Sequence, residues 1–362
     1  MNWIDRLRRV RAGTMRVMVG LLVCASATIT ARAQNAEPST ALIGSRAVAV
    51  NSQTGKVYAV DSRRGSVSVF DPRTKAITSV RVGAEPVAVA VNETTDRIYV
   101  ANNEGGSVSV IDGKSDSVLA TVQVGSLPYV VAANPATNKI YVSNTFSNVI
   151  TVIDGATNAI TAVKAGSADA IAVDASLDKV YLLGYENTNL NVMDKTANIT
   201  GKQQVGMHPW AMAVNEATNA LYVTRVGNGQ LLKLDEQSGM TTTIPTGAFP
   251  CAVAVNPVTN MVYVVNHGDD TVTVVDGIKG KVVATVKVGR LPQAVAADAK
   301  KNRVYVANSH SDTISVLDGE RNTVLKTIPA GKNPFAVAVD ANNGRLYVVS
   351  HGEPALSVVD LD

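Results

Sequence analysis

Aromatic side chains are scarce in this chain, at 4% of residues. That scarcity argues against a core packed from large rings on helices. Val, Ala, Thr, Asn and Gly dominate instead, a composition suited to many short strands joined by tight turns. Cysteine is nearly absent, with Cys24 and Cys251 the only two. No Cys-x-x-Cys-His run occurs, which excludes covalently attached c-type haem. Also missing are a Ser–His–Asp order, Walker glycines, a dinucleotide loop opening a helix and recognisable paired carboxylates. Pairs such as Gly105-Gly106 are turn glycines.

Long apolar runs are lacking too. The only marked one, residues 17–27, is too short for a permanent bilayer span. Arg6, Arg8, Arg9, Arg11 and Arg16 precede it, and Ala31-Arg32-Ala33 follows. A basic stretch, a short apolar stretch and small residues two apart predict a secretory signal peptide over residues 1–33. Met15 offers an alternative start, and Val23 is bulky for a lipid-attachment site at Cys24. The expected location is secreted: periplasmic, extracellular or at the cell surface. Basic charge is also lacking once this leader is set aside. The whole chain carries +3, but residues 1–33 hold six Arg against one Asp, leaving 27 basic and 29 acidic residues beyond. That balance points away from nucleic acid.

What the sequence has is a repeat. Tyr58, Tyr99, Tyr141, Tyr181, Tyr222, Tyr263, Tyr305 and Tyr347 recur every 40–42 residues. Asn or Asp stands seven residues before each, and Asp stands thirteen after each, from Asp71 to Asp360. A period near forty residues signals stacked modules. In the second copy, apolar alternation predicts strand A over 87–91, B over 97–101, C over 107–111 and D over 118–124. Four strands cannot bury both faces alone, so the copies must share them around an axis. The expected fold is all-β, a closed β-propeller of eight four-stranded antiparallel blades over residues 34–362, with seven blades as the alternative. Copies start near Gly44, Gly83, Gly125, Gly166, Gly206, Gly247, Gly289 and Gly331. The eighth copy ends after strand C, and residues 40–43 are expected to supply its fourth strand.

The runs Arg97-Ile-Tyr-Val-Ala-Asn102, Lys139-Ile-Tyr-Val-Ser-Asn144 and Arg303-Val-Tyr-Val-Ala-Asn308 resemble the YVTN-family β-propeller repeat of secreted and surface-layer proteins. The Val-Gly-x-x-Pro stretches before strand A agree with it. The resemblance implies a propeller fold and an exported location, and leaves the biochemical role open. Copies one and four lack the Gly-x-x-Pro proline, which predicts different packing at their inner rim.

Variable loops on a rigid frame are where binding concentrates. Here these are the D–A and B–C loops, which share one face. All four histidines fall there: His208, and His267, His310 and His351 in three successive B–C loops, accompanied by Asp269, Asp270, Asp312 and Glu353. Imidazole with carboxylate suits a divalent metal, so His267, His310 and His351 are candidate ligands, against the alternative of solvated loop residues. A second cluster follows the loop proline at the axial mouth: Tyr129, Trp210, Cys251, Gln293 and Phe335. Tyr129, Trp210, Gln293 and Phe335 are the candidate ligand-binding residues, against the alternative of a packed channel plug. Cys251 reads as a small buried hydrophobe. The recurring Tyr and Asp read as architecture, Tyr packing between blades with its hydroxyl on a backbone group and Asp closing the C–D turn. No cofactor other than a divalent metal is expected.

The leading expectation is a non-catalytic scaffold binding a protein partner or small ligand through the variable face. The alternative is an enzyme with a site on that face, a metal-dependent lactonase-like hydrolase or a quinoprotein-like oxidoreductase. A purely structural surface-layer role is the third.

Overall fold

Each copy of the repeat alternates apolar and small polar residues with a period of two, and each becomes one antiparallel sheet. The computed structural model describes residues 44–145, 147–352 and 355–361. In the second copy strand A is Pro86–Asn92, B is Arg97–Asn102, C is Ser107–Asp112 and D is Ser117–Gln123, paired in that order. Seven such four-stranded sheets follow one another, at residues 48–81, 86–123, 128–164, 170–204, 209–245, 250–287 and 292–329. The eighth, over 334–360, has three strands among the described residues. Residues 40–43, the expected closing strand, lie outside those described, as do the predicted signal peptide and its cleavage site. The propeller thus has eight blades, and the seven-bladed alternative is set aside.

Strands A stand side by side around the axis, each touching the next, and strand A of blade 8 touches that of blade 1. The core sits between blades. Tyr99 of blade 2 packs with Ile140, Val142 and Ile153 of blade 3, and Tyr141 with Val180, Leu182 and Met193 of blade 4. All eight repeated tyrosines are at most 2% exposed. Burying such a ring removes roughly 150–250 Å² from water, on the order of 4–5 kcal/mol before entropy is counted. Outer strands D are mostly exposed, as in Ser117–Gln123.

Turn chemistry fixes the register. Asp112 Oδ1 accepts from the backbone N–H groups of Lys114 and Ser115 at 2.8 and 2.9 Å, and Asp71, Asp154, Asp235, Asp276 and Asp318 close their C–D turns likewise. On the A–B side Asn51, Asn134, Asn256 and Asp298 do the same. These are Asx turns, which is why the spacing from Tyr holds. The tyrosine hydroxyls differ from expectation. Tyr222 Oη donates to the Gly277 carbonyl at 3.2 Å, whereas Tyr58, Tyr99 and Tyr263 bury theirs without a partner among the described residues. Ring burial outweighs the lost bond at those seams.

Candidate functional site at the axial mouth

The Gly-x-x-Pro loop positions the site. In six blades the residue before the proline has a positive φ: Glu85, Leu127, His208, Phe249, Leu291 and Asn333 lie between 46° and 54°. This left-handed backbone is strained for such residues. Immediately after the proline the register against strand B slips by one residue, in blades 2, 3, 5, 6, 7 and 8. The extra residue has no place in the ladder and is re-aimed, as β-bulges do beside functional sites. In blades 3, 5, 6, 7 and 8 the slipped residues include Tyr129, Trp210, Cys251, Gln293 and Phe335, the cluster expected from the sequence. It is therefore a product of one repeated bulge.

The structure divides that cluster. Trp210 joins a wall of rings spanning blades 4 to 6. Tyr185 lies edge-on to Trp210 at 5.6 Å and beside His208 at 5.1 Å; Trp210 meets Phe249 at 6.5 Å, and Phe249 meets His267 at 6.0 Å. Four of these rings are partly exposed, and His267 is buried. Lower on strands A of blades 4 and 5, toward the A–B turns, lies a cleft of about 460 Å³ bounded by Ile171, Met212, Val214 and Glu216. Tyr129 stands apart, with the Arg46 guanidinium 5.2 Å over its ring. Burial raises the Tyr129 hydroxyl above its ordinary pKa. Phe335 is 7% exposed and stacked on His351 at 4.3 Å. Gln293 is partly exposed, and its carbonyl lies 3.8 Å from the Cys251 thiol, which also reaches Pro292 O at 3.5 Å. The thiol is thus engaged as a donor to the next blade.

Arg46 is the residue that sequence reasoning missed. It sits in a 3₁₀ turn, Gly44–Ala47, which touches strands A of blades 2, 7 and 8. From there it stacks on blade 3 and donates to the carbonyl of Asp169 before blade 4. Its guanidinium thus ties blade 1 to the rim of blades 3 and 4. Arg46 and Asp169 occupy the two loops that lack the proline, so the departures of copies one and four, visible in the sequence, meet across the axis.

The histidines stay on their own blades. Burial lowers the pKa of His267 first, partly offset by the Pro292 carbonyl 3.0 Å from Nδ1. The uncharged ring then carries its proton on Nδ1 and its lone pair on Nε2. His351 is lowered by burial and by Arg63. His310 is exposed; its Nδ1 lies 3.3 Å from Ser309 Oγ, whose hydroxyl donates to Leu291 O at 2.7 Å. The carboxylates serve the loops. Asp270 accepts the Leu291 N–H and Asp312 the Asn333 N–H, each at 2.8 Å, while Asp269 accepts from Ala248. Among the described residues no three His, Cys, Asp or Glu side chains converge to hold a metal ion. Glu353 lies outside them.

A family model described as "Lactonase, 7-bladed beta-propeller" matches residues 19–325. The chain belongs to that lactonase family. The match stops at residue 325, within blade 7, and blade 8 lies beyond it. No curated protein sequence matches the chain. Among solved structures, "Dihydro-heme d1 dehydrogenase NirN in complex with DHE" is similar, at 13% identity and a TM-score of 0.75, covering 86% of this chain and 72% of that one. Hydrazine synthase of Kuenenia stuttgartiensis is 17% identical with a TM-score of 0.61, covering 91% and 99% respectively. At these identities the likeness concerns the fold. Membership in the lactonase family corrects the expectation of a non-catalytic scaffold; the alternative, an enzyme with a site on the loop face, is the better supported.

Proposed function

We propose that this lactonase-family propeller hydrolyses a cyclic ester at the mouth formed by its D–A and B–C loops. The observation that carries the reading, beyond the family itself, is the His310–Ser309–Leu291 relay. Because the Ser309 hydroxyl spends its proton on Leu291 O, Oγ accepts from Nδ1–H of His310, and the base form of that ring has its lone pair on Nε2. That nitrogen can take a proton from water as the water oxygen attacks the ester carbonyl. Collapse of the tetrahedral intermediate breaks the ring C–O bond, and the imidazolium returns its proton to the leaving alkoxide. The product is an open hydroxy acid, with atoms and charge balanced. The main-chain N–H of His310 donates to the Arg290 carbonyl at 3.2 Å, which fixes the loop that carries the base.

The test is ring opening of δ-valerolactone and 3,4-dihydrocoumarin by purified chain, followed as acid release, with His310→Asn alongside. Turnover abolished in the variant supports the reading; no turnover above the spontaneous rate by the wild-type chain overturns it.

A macrocycle such as the dihydro-heme d1 after which the NirN dehydrogenase is named is the competing ligand, since the ring wall offers stacking surfaces. The lactonase family match favours the ester reading over it. We further read the repeat as of YVTN type and the chain as exported, on the Ile-Tyr-Val runs and the basic, apolar and small-residue order of residues 1–33.

A further inference from the structure

The described aromatic residues fall into two groups. The eight repeated tyrosines are buried between blades, and of the others all but Phe70 lie at the mouth: Tyr129, Tyr185, Trp210, Phe249 and Phe335. In a chain this poor in rings, such concentration on one loop face is not required by packing. Tyr185, Trp210 and Phe249 remain partly exposed although apolar rings gain by burial, and they contact one another edge-on or tilted. That arrangement presents a faceted wall to solvent. Phe249 is held there by a left-handed backbone, φ 54°, and Trp210 by the bulge after Pro209. Both are costly local conformations that the surrounding sheet maintains. The wall ends at His267 in blade 6, whose Nδ1 lies 3.0 Å from the Pro292 carbonyl, on the same loop whose Arg290 and Leu291 carbonyls accept from the His310 main-chain N–H and the Ser309 hydroxyl. Rings and proposed base are thus joined through one loop.

We propose that the cyclic ester taken here carries a planar aromatic body, which lies on the wall of Tyr185, Trp210 and Phe249 with its carbonyl toward His310. This rests on the hydrolase reading and names its substrate class. Aromatic rings favour offset or edge-to-face contact with another ring over contact with an aliphatic ester of equal polarity.

Trp210 supplies its own reporter. The chain has two tryptophans, Trp3 and Trp210, so a Trp3→Phe chain fluoresces from the wall alone. In that background 3,4-dihydrocoumarin should shift or quench the emission saturably, while δ-valerolactone, the same ester ring without the arene, should not. Rates are divided by the spontaneous hydrolysis rate of each lactone. The arene should then raise kcat/KM about tenfold or more. Trp210→Leu and, separately, Phe249→Leu should raise KM for dihydrocoumarin about tenfold more than that for valerolactone, with melting temperatures confirming that both variants fold. Equal handling of the two lactones, or equal damage to both by the variants, overturns the substrate class and leaves the hydrolase standing. Absence of turnover with either lactone overturns the hydrolase and this proposal with it.

Discussion

The carboxyl of Glu236 in blade 5 faces the carboxyl of Asp174 in blade 4, and the pair is buried at the seam between the blades, Asp174 fully and Glu236 to 9% exposure. The Tyr181 hydroxyl faces the same group, and Lys179 Nζ reaches the Glu236 carbonyl oxygen of the main chain at 3.1 Å. Neither Glu236 side-chain oxygen finds a well-aligned donor. Burial of two neighbouring carboxyls disfavours a second negative charge there, so Glu236 holds its proton to higher pH. Burial first, then the Asp174 carboxyl, pushes Glu236 up to about 8 from 4.5. Asp174 is held below its ordinary range because bonds from Glu236, Ser176 and Leu177 together outweigh its own burial.

This pair makes stability fall as pH rises. Between about 4.5 and 8 the folded chain holds a proton on Glu236 that the unfolded chain has released. Folding is therefore weakened by up to about 1.4 kcal/mol per pH unit across that window. His267 and His351 act oppositely, since burial lowers their pKa and unfolding takes up protons below about 6.5. Glu236→Gln isolates the pair, because an amide donates to Asp174 as the protonated acid does. Urea unfolding should find wild type and variant alike near pH 5 and the variant the more stable, by a few kcal/mol, at pH 8. Parallel curves would exclude the proton held on Glu236.

The Glu236 position has a different occupant in four other blades, which place Gly113, Gly155, Gly277 or Gly319 there. A Cβ on Gly277 would stand 2.5 Å from Asn260 O and 2.6 Å from the Tyr222 hydroxyl, the only repeated tyrosine shown donating to such a carbonyl. Gly277→Ala should therefore cost about 2–3 kcal/mol and lower Tm by several degrees. Gly201→Ala is the control: its nearest atom would be Val192 Cβ at 3.9 Å, and removing a strand glycine there should leave Tm level or slightly raised. Equal losses at both sites would show that seam crowding is not the cause.

Much of this was legible in the residues, for a physical reason. Strand periodicity and Asx turns are local, so Asn92, Tyr99 and Asp112 announce blade 2 without reference to the rest of the chain. The bulged residues were found as a set because the loop proline marks each one. What proximity in sequence does not encode is which loops meet across the axis. Arg46 and Asp169 are 123 residues apart, and only the absence of their prolines hinted at a shared role. Tyr185 and Phe249 escaped notice because neither occupies the repeated position of Trp210. The carboxylates show the same limit: Asp269, Asp270 and Asp312 stand beside histidines in sequence, yet each also accepts from a backbone N–H of a neighbouring loop.

The ring is closed by side chains as well as by strands. Phe70 precedes the C–D turn of blade 1, where other blades carry Ile111, Ile153, Met193, Leu234, Val275 or Leu317. Its ring lies 5.6 Å from Tyr347 of blade 8, with the Arg345 guanidinium 5.5 Å above it. Phe70→Ala should cost about 3–5 kcal/mol through the cavity and the lost contacts, and Phe70→Leu about half as much. Hydrogen exchange should quicken in blades 1 and 8 before the others. Uniform quickening around the ring would mean that closure does not depend on this seam.

The relay at His310 separates positioning from proton transfer. His310→Asn removes the proposed base, so kcat should fall by about 10²–10⁴ with KM nearly kept. Ser309→Ala leaves the imidazole but removes the acceptor that holds Nδ1–H, and also the hydroxyl donated to Leu291 O. The ring then samples the wrong tautomer and rotamer, which should cost about tenfold in kcat without moving KM. Ser309→Thr keeps the hydroxyl and should restore most of the rate. A His310→Asn chain as active as wild type would remove His310 from the chemistry. Loss in Ser309→Ala that Ser309→Thr fails to rescue would place Ser309 in packing rather than in the relay.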